Sequence, residues 1–319
     1  MLRRSFLAVG GAGLLAGCAA SARQTVNETA QDRAAEAAYP PIGALYGPDG
    51  ARVHATDEGR GDGPPVILIH GASGNVRDWT FDVTPRLSAK RRTIAMDRPG
   101  FGYSQRGGDE LWRPTLQAER LRAAAREMGA EKPIVVGHSW GAAVALAWAL
   151  QAPEDVTGVV AVSGVTIPWG GVVPALDALG FGSLIAGLYT RRLTRTAETG
   201  GVERFIQRAF RPQEAPEGYL DYVGAPLALR TKTLNANADD LANTNPGVRE
   251  IAPGYPGLSV PVEILHGDRD WLLDIDQHGV ELAEALPDGR LTPLPGVGHM
   301  AHHARIDAVE AAVDRLAAA

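Results

Sequence analysis

One serine stands out for what its neighbours permit. Gly137-His138-Ser139-Trp140-Gly141 follows the apolar run Ile134-Val135-Val136 and precedes Ala142–Leu150, an apolar stretch of helical length. A serine on a sharp turn between a buried strand and a helix is presented for attack. Glycine two positions to either side removes the Cβ that such a turn would strike. The helix beginning near Trp140 points its positive end at the turn, which favours negative charge developing there. The chemistry expected of Ser139 is nucleophilic attack on an acyl carbonyl.

A serine hydroxyl needs a base, and the base needs an orienting carboxylate. Both must be brought to it from the ends of other strands. Two later loops supply both. His266-Gly267-Asp268-Arg269-Asp270 follows the apolar run Val262–Leu265, and Pro295-Gly296-Val297-Gly298-His299 follows Leu291–Leu294. Asp268, Asp270 and Asp274 are candidate acids; His299, His302 and His303 are candidate bases. The oxyanion of the tetrahedral intermediate requires two preorganised N–H donors. One is expected to be the backbone N–H of Trp140, directly after the serine. His138 is expected to pack or line a pocket rather than act as base. The spacing His299-x-x-His302-His303 hints at a metal cluster, but no carboxylate or cysteine accompanies it at ligand spacing. Neither metal nor cofactor is expected.

These groups need a scaffold that brings strand ends together. Val66–Ile69, Thr93–Met96, Ile134–Val136, Val159–Val162, Val262–Leu265 and Leu291–Leu294 read as short strands buried on both faces. Ala51–Asp57 suits an edge strand. Trp79–Ser88, Leu116–Met128 and Ala142–Leu150 read as helices, the second stopping at Gly129. Strands alternating with helices predict a mostly parallel, doubly wound α/β sheet. The rhythm breaks over 166–258, which reads as a helical cap inserted over the strand ends, with helix-like stretches at Pro174–Thr196, Val202–Phe210 and Tyr219–Ala242. The core is then 42–165 and 259–319. In the cap, Phe181, Leu184, Leu188, Phe205, Phe210 and Tyr222 line a pocket or pack the cap on itself. Asn235 and Asn237 are candidates to face substrate.

The 319 residues are 45% hydrophobic and 21% charged, as in ordinary globular enzymes. A net charge of −6 with no basic stripe excludes nucleic acid as a partner. Residues 1–17 carry Arg3-Arg4, an apolar run from Phe6 to Leu15 and then small residues, the layout of a secretory signal too short to span a bilayer. Residues 18–41 read as a tether.

From about Arg52 onward the chain resembles the α/β-hydrolase superfamily, in its cap-bearing, esterase-like branch. The matching blocks are His70-Gly71-Ala72-Ser73-Gly74, Asp97-Arg98-Pro99-Gly100-Phe101-Gly102-Tyr103-Ser104, Val136-Gly137-His138-Ser139-Trp140-Gly141, Gly267-Asp268-Arg269-Asp270 and Gly298-His299. The resemblance implies the α/β-hydrolase fold, with Ser139 as nucleophile, Asp270 as acid, His299 as base and Ala72 as the second oxyanion donor. Leu15-Ala16-Gly17-Cys18 resembles the lipobox of bacterial lipoproteins, in which the cysteine is lipidated. Arg3-Arg4-Ser5-Phe6-Leu7 resembles a twin-arginine export motif, though Leu2 precedes the pair. Cys18, the only cysteine, is the expected lipid attachment point, with the enzyme held on the periplasmic side of a bacterial membrane.

The expected function is hydrolysis of a carboxylic ester through an acyl-enzyme, on a small-molecule substrate. The same triad also serves carbon–carbon bond hydrolases, lactonases and perhydrolases. A non-catalytic binding lipoprotein is the reading from a different class. The haloalkane dehalogenases and epoxide hydrolases of the superfamily use an Asp nucleophile, whereas position 139 is Ser.

Overall fold

The computed structural model describes residues 29–108, 110–169 and 201–319. Among the described residues, eight strands form one sheet: β1 (Ala44–Tyr46), β2 (Val53–Ala55), β3 (Val66–Ile69), β4 (Thr93–Met96), β5 (Ile134–His138), β6 (Gly158–Val162), β7 (Val262–Gly267) and β8 (Gly289–Leu294). Their order is β1-β2-β4-β3-β5-β6-β7-β8. β1–β2 and β2–β4 are antiparallel; every pair from β4 to β8 is parallel. All six predicted core strands are present. The predicted edge strand is β2, but it lies one place in, because Ala44–Tyr46 pairs outside it.

The apolar runs are continuous because both faces of the sheet are covered. Ile67, Ile69, Val135, Val159, Ala161 and Ile264 face one apolar layer. Val66, Leu68, Val136, Val160, Val162 and Leu265 face the other. The period-two alternation assigns each strand residue to one face.

The helices before the cap are α1 (Ala30–Ala38), α2 (Val76–Thr80), α3 (Val83–Ser88), α4 (Pro114–Glu127) and α5 (Trp140–Gln151). The helix predicted over Trp79–Ser88 is two short helices, α2 and α3. Asn75 caps α2 by accepting from Arg77 N–H.

The described part of the inserted interval holds α6 (Gly201–Phe210), α7 (Tyr219–Tyr222), α8 (Ala225–Ala228), α9 (Thr231–Ala242) and α10 (Thr244–Ile251). Pro174–Thr196 lies outside the described residues. The last part of the interval joins the core rather than a roof: Ile251, Tyr255 and Leu258 pack in the same apolar layer as α5. The C-terminal helices are α11 (Glu281–Ala285), α12 (Ala301–Ala304) and α13 (Ile306–Ala318).

From residue 30 the predicted tether is a docked helix. Thr29 and Asp32 form a capping box at the start of α1. Asp32 also accepts from Thr231 N–H and Oγ1 at 3.0 and 3.2 Å. Glu36 binds the buried Arg230 at 2.5 Å and Lys232 at 2.8 Å. Burial of the Asp32 and Glu36 carboxyls opposes ionisation, and these hydrogen bonds outweigh it, holding both below their ordinary range. The contacts tie α1 to the start of α9. Residues 1–28, including Cys18, lie outside the described residues.

Candidate active site

Ser139 sits between β5 and α5 with φ at 51°. The elbow is dense. A Cβ on Gly137 would lie 2.3 Å from Gly141 O, and one on Gly141 would lie 2.3 Å from Ile69 O. Both glycines are therefore dictated by backbone approach, and the serine takes up a strained positive-φ conformation. Its backbone is pinned to the next strand, with Ser139 N–H donating to Val162 O at 3.0 Å.

The loops after β7 and β8 carry the other two groups to it. His299 Nε2 lies 3.0 Å from Ser139 Oγ, and His299 Nδ1 lies 2.7 Å from Asp270 Oδ2. An ionised carboxylate only accepts, so Nδ1 carries the proton and Nε2 presents its lone pair to the serine hydroxyl. Asp270 is buried, which opposes ionisation. Hydrogen bonds from His266, His299 and Leu272 N–H outweigh burial and hold its carboxyl far below the usual carboxylate range. The acceptor set is therefore ready to charge-stabilise an imidazolium.

The alternative acids are engaged elsewhere. Asp268 accepts from Gly296 N–H at 2.7 Å. Asp274 accepts from the N–H groups of Asp276 and Gln277. The alternative bases His302 and His303 lie on α12. His138 Nε2 lies 3.0 Å from His299 O, and its ring packs 4.9 Å from the His299 ring. Burial and the neighbouring imidazoles push His138 well below its ordinary value, so it is a neutral brace for the His299 backbone.

Ala72 and Trp140, the residues expected to supply the oxyanion donors, both line the cavity beside Ser139. A Cβ on Gly71 would come within 3.0 Å of Ser139 Cβ, which fixes how near the β3 loop runs to the serine. His70 is buried with no exposed surface. Its Nδ1 donates to Gly71 O at 2.8 Å and its Nε2 accepts from Arg98 N–H at 3.0 Å. Burial and the Arg98 charge bring His70 down to about 4, so it holds the loop as a neutral ring. Arg98 lies in the Asp97–Ser104 block. Its buried guanidinium donates to His70 O and Gly71 O, each at 3.1 Å, and stacks on Phe101 and Trp140.

Above these groups lies a cavity of about 350 Å³ with mainly apolar walls. α6 contributes Val202, Phe205, Ile206 and Ala209, spaced i, i+3, i+4, i+7 along one helix face. Trp169, Leu229, Leu241 and Leu272 are among the other apolar residues that line it. Of the cap residues proposed as pocket lining, Phe205 is in the wall. Phe210 packs with Tyr219 and Val223 in a separate cluster, and Tyr222 hydrogen-bonds Thr80. Phe181, Leu184 and Leu188 lie outside the described residues. Asn235 is exposed, and Asn237 is buried with its Oδ1 on Ser73 N–H.

Sequence spacing missed one cluster beside the cavity. Asp78 accepts from His302 Nε2 at 3.2 Å, His303 Nε2 at 3.0 Å and Tyr219 OH at 2.6 Å. Asp82 takes the other His303 nitrogen at 2.7 Å. The carboxylate that the histidine spacing lacked is thus supplied from α2, and the ligand atoms of Asp78, His302 and His303 lie within 4.8 Å of one another. That set could hold a divalent cation. Charge accounts for the same contacts: burial opposes protonation of His303, and the Asp78 and Asp82 hydrogen bonds outweigh it, raising it to about 9. An imidazolium between two carboxylates needs no further counter-charge.

The sheet and the site can be set beside known proteins. The family described as alpha/beta hydrolase fold matches residues 64–305. A 2-hydroxy-6-oxononadienedioate/2-hydroxy-6-oxononatrienedioate hydrolase of Comamonas testosteroni is 26% identical over 261 residues, 81% of this chain and 88% of that protein. The dihydrolipoyllysine-residue acetyltransferase component of the acetoin cleaving system of Pseudomonas putida is 28% identical over 251 residues, 75% of this chain; the match spans only 59% of that longer protein. An esterase structure from Exiguobacterium antarcticum aligns with a TM-score of 0.68 at 18% identity, covering 87% of this chain and 100% of that one. The family match spans most of the residues that build the mostly parallel eight-stranded sheet, and this chain belongs to the alpha/beta hydrolase fold family.

Proposed function

We propose that this protein is a serine hydrolase that cleaves a carboxylic ester through an acyl-enzyme. The observation that carries the reading is the unbroken chain from Asp270 to His299 to Ser139, with links of 2.7 and 3.0 Å. Ser139 Oγ attacks the carbonyl carbon while His299 Nε2 takes its proton. The oxyanion forms against the N–H groups of Trp140 and Ala72. His299 returns the proton to the leaving alcohol oxygen as the C–O bond breaks. Water then attacks the acyl-enzyme with His299 as base, releasing the acid and restoring Ser139. The apolar cavity suits an uncharged acyl or alcohol group, because an ionised group would lose its hydration there without a partner. Asp78 is the one carboxylate in the described lining.

The test is a panel of p-nitrophenyl esters, lactones and vinylogous diketones, with fluorophosphonate labelling of the same preparation. Labelling and ester turnover are expected, with kcat/KM for apolar acyl esters at least about 10-fold above that for acyl chains ending in carboxylate. Folded protein that neither labels nor turns over esters would sink the reading. Carbon–carbon bond hydrolysis is the second reading, supported by the Comamonas testosteroni relative that spans 81% of this chain. A diketone turned over faster than any ester would select it.

We further propose that the enzyme acts outside the cytoplasm. The charged, apolar and small segments of residues 1–17 and the Cys at position 18 support export and lipidation at Cys18 on the periplasmic side. Two or more lipid chains there suffice for stable attachment. Cys18→Ser is expected to move the protein from the membrane to the soluble fraction. A variant that still sediments with membranes would overturn lipidation as the anchor.

A further inference from the structure

The second oxyanion donor has neighbours that the chemistry above leaves unused. A peptide unit is a rigid plane, so whatever holds the carbonyl of one residue aims the N–H of the next. Gly71 C=O and Ala72 N–H share one plane. Gly71 O accepts from His70 Nδ1 and from Arg98 Nη2. Arg98 is in turn held by Asp240 Oδ2 at 2.5 Å, and Asp240 belongs to α9 of the inserted interval. The next plane joins Ala72 C=O to Ser73 N–H. Ser73 N–H donates to Asn237 Oδ1 at 2.9 Å, and Asn237 also belongs to α9. Ser73 has φ at 58°, a conformation a serine keeps only when its surroundings impose it. Both planes flanking the Ala72 α-carbon are therefore fixed from one helix. The junction after α9 reaches the other donor as well: Thr244 Oγ1 accepts from Trp140 Nε1 at 3.3 Å.

We propose that α9 is the positioning element of the oxyanion donors, acting through Asn237 on Ser73 and through Asp240 and Arg98 on Gly71. Asn237 and Asp240 are positioning residues: they aim the Ala72 N–H without touching substrate. α9 also supplies Leu241 to the cavity wall. A substrate that seats against this wall presses on the same helix that aims the donor. Occupancy of the pocket and geometry of the oxyanion site are thereby coupled through one body. This inference rests on the ester hydrolase reading for its catalytic part and on the hydrogen bonds alone for its structural part.

The experiment compares wild type with Asn237→Leu, which keeps the size and removes the acceptor, and Asn237→Asp, which keeps an acceptor oxygen. A displaced donor costs less than a deleted one, for which losses of about 10²–10³ in kcat are typical. Asn237→Leu is expected to lower kcat about 10-fold or more with KM within about twofold, and to weaken a boronic acid transition-state analogue by the same factor. Asn237→Asp is expected to recover most of both. Amide exchange of the Ala72 and Ser73 N–H groups should quicken in Asn237→Leu and stay near wild type in Asn237→Asp. Should Asn237→Leu fail to fold, Asn237→Ala replaces it in the same comparison. The proposal is overturned if kcat is unchanged, if the loss falls on KM, or if Asp fails as badly as Leu. If wild type itself has no hydrolase activity, the ester reading fails separately, and amide exchange still decides whether Asn237 holds the loop.

Discussion

Asp270→Asn should lower kcat by about 10⁴-fold while leaving KM nearly unchanged. The reason lies in how the carboxylate is shared. Asp270 Oδ1 accepts two backbone N–H groups, from Leu272 at 2.9 Å and Leu273 at 3.1 Å. Oδ2 faces His299 Nδ1 at 2.7 Å. An asparagine must keep its oxygen on the two backbone donors, so its NH₂ turns to His299. His299 then presents a lone pair at Nδ1 and carries its proton on Nε2, where it can no longer accept from Ser139. Geometry is preserved and the tautomer is wrong. The rate of fluorophosphonate labelling should fall in parallel, since it depends on the same activated hydroxyl. Steady-state kinetics and timed labelling check both; a loss under tenfold would show that Asp270 is not the orienting acid.

Asp78→Ala should destabilise the fold by about 3–5 kcal/mol, the range found when one member of a buried charge pair is removed. Asp78 is the common acceptor for His302, His303 and Tyr219. Its removal strands two buried donors and leaves His303 with Asp82 alone. Urea unfolding at pH 6 measures the loss. The pH dependence has a definite sign. His303 is raised from 6.5 to about 9, so between these values the folded protein binds a proton that the unfolded chain releases. The stability it contributes is complete below about pH 6.5 and is lost as pH rises through about 9. His303→Gln should flatten that part of the stability profile. An unchanged slope from pH 6.5 to 9 would mean that His303 is not held as an imidazolium.

The elements that carry the chemistry were legible because each is encoded locally. The elbow glycines, the apolar runs and the Gly-rich loops lie within a few residues of what they position, and parallel pairing follows from the βα alternation. The family resemblance implied Ser139, Asp270 and His299 as the triad, and the structure brings those three together. What escaped the sequence depends on pairs far apart in the chain. Nothing near His302 announces Asp78, and nothing near Asp32 announces Thr231 or Arg230. Asn237 reads in the sequence as a polar residue able to face substrate, yet its partner is a backbone N–H 164 positions away. The split between α2 and α3 and the extra strand β1 were missed for the opposite reason: three to six residues give too little periodicity to mark a boundary.

Because α1 is docked from Thr29 onward, a lipid at Cys18 would hold the enzyme body on a short leash. The stretch read as tether runs to Pro41, long enough fully extended to let the cavity range some 80 Å from its attachment point. With Asp32 and Glu36 clasped to the start of α9, only the eleven steps from Cys18 to Thr29 remain, about 40 Å at full stretch. A lipid at Cys18 would therefore confine the cavity to a thin layer over the membrane, where esters partitioned into or leaving the bilayer are met before those dissolved beyond it.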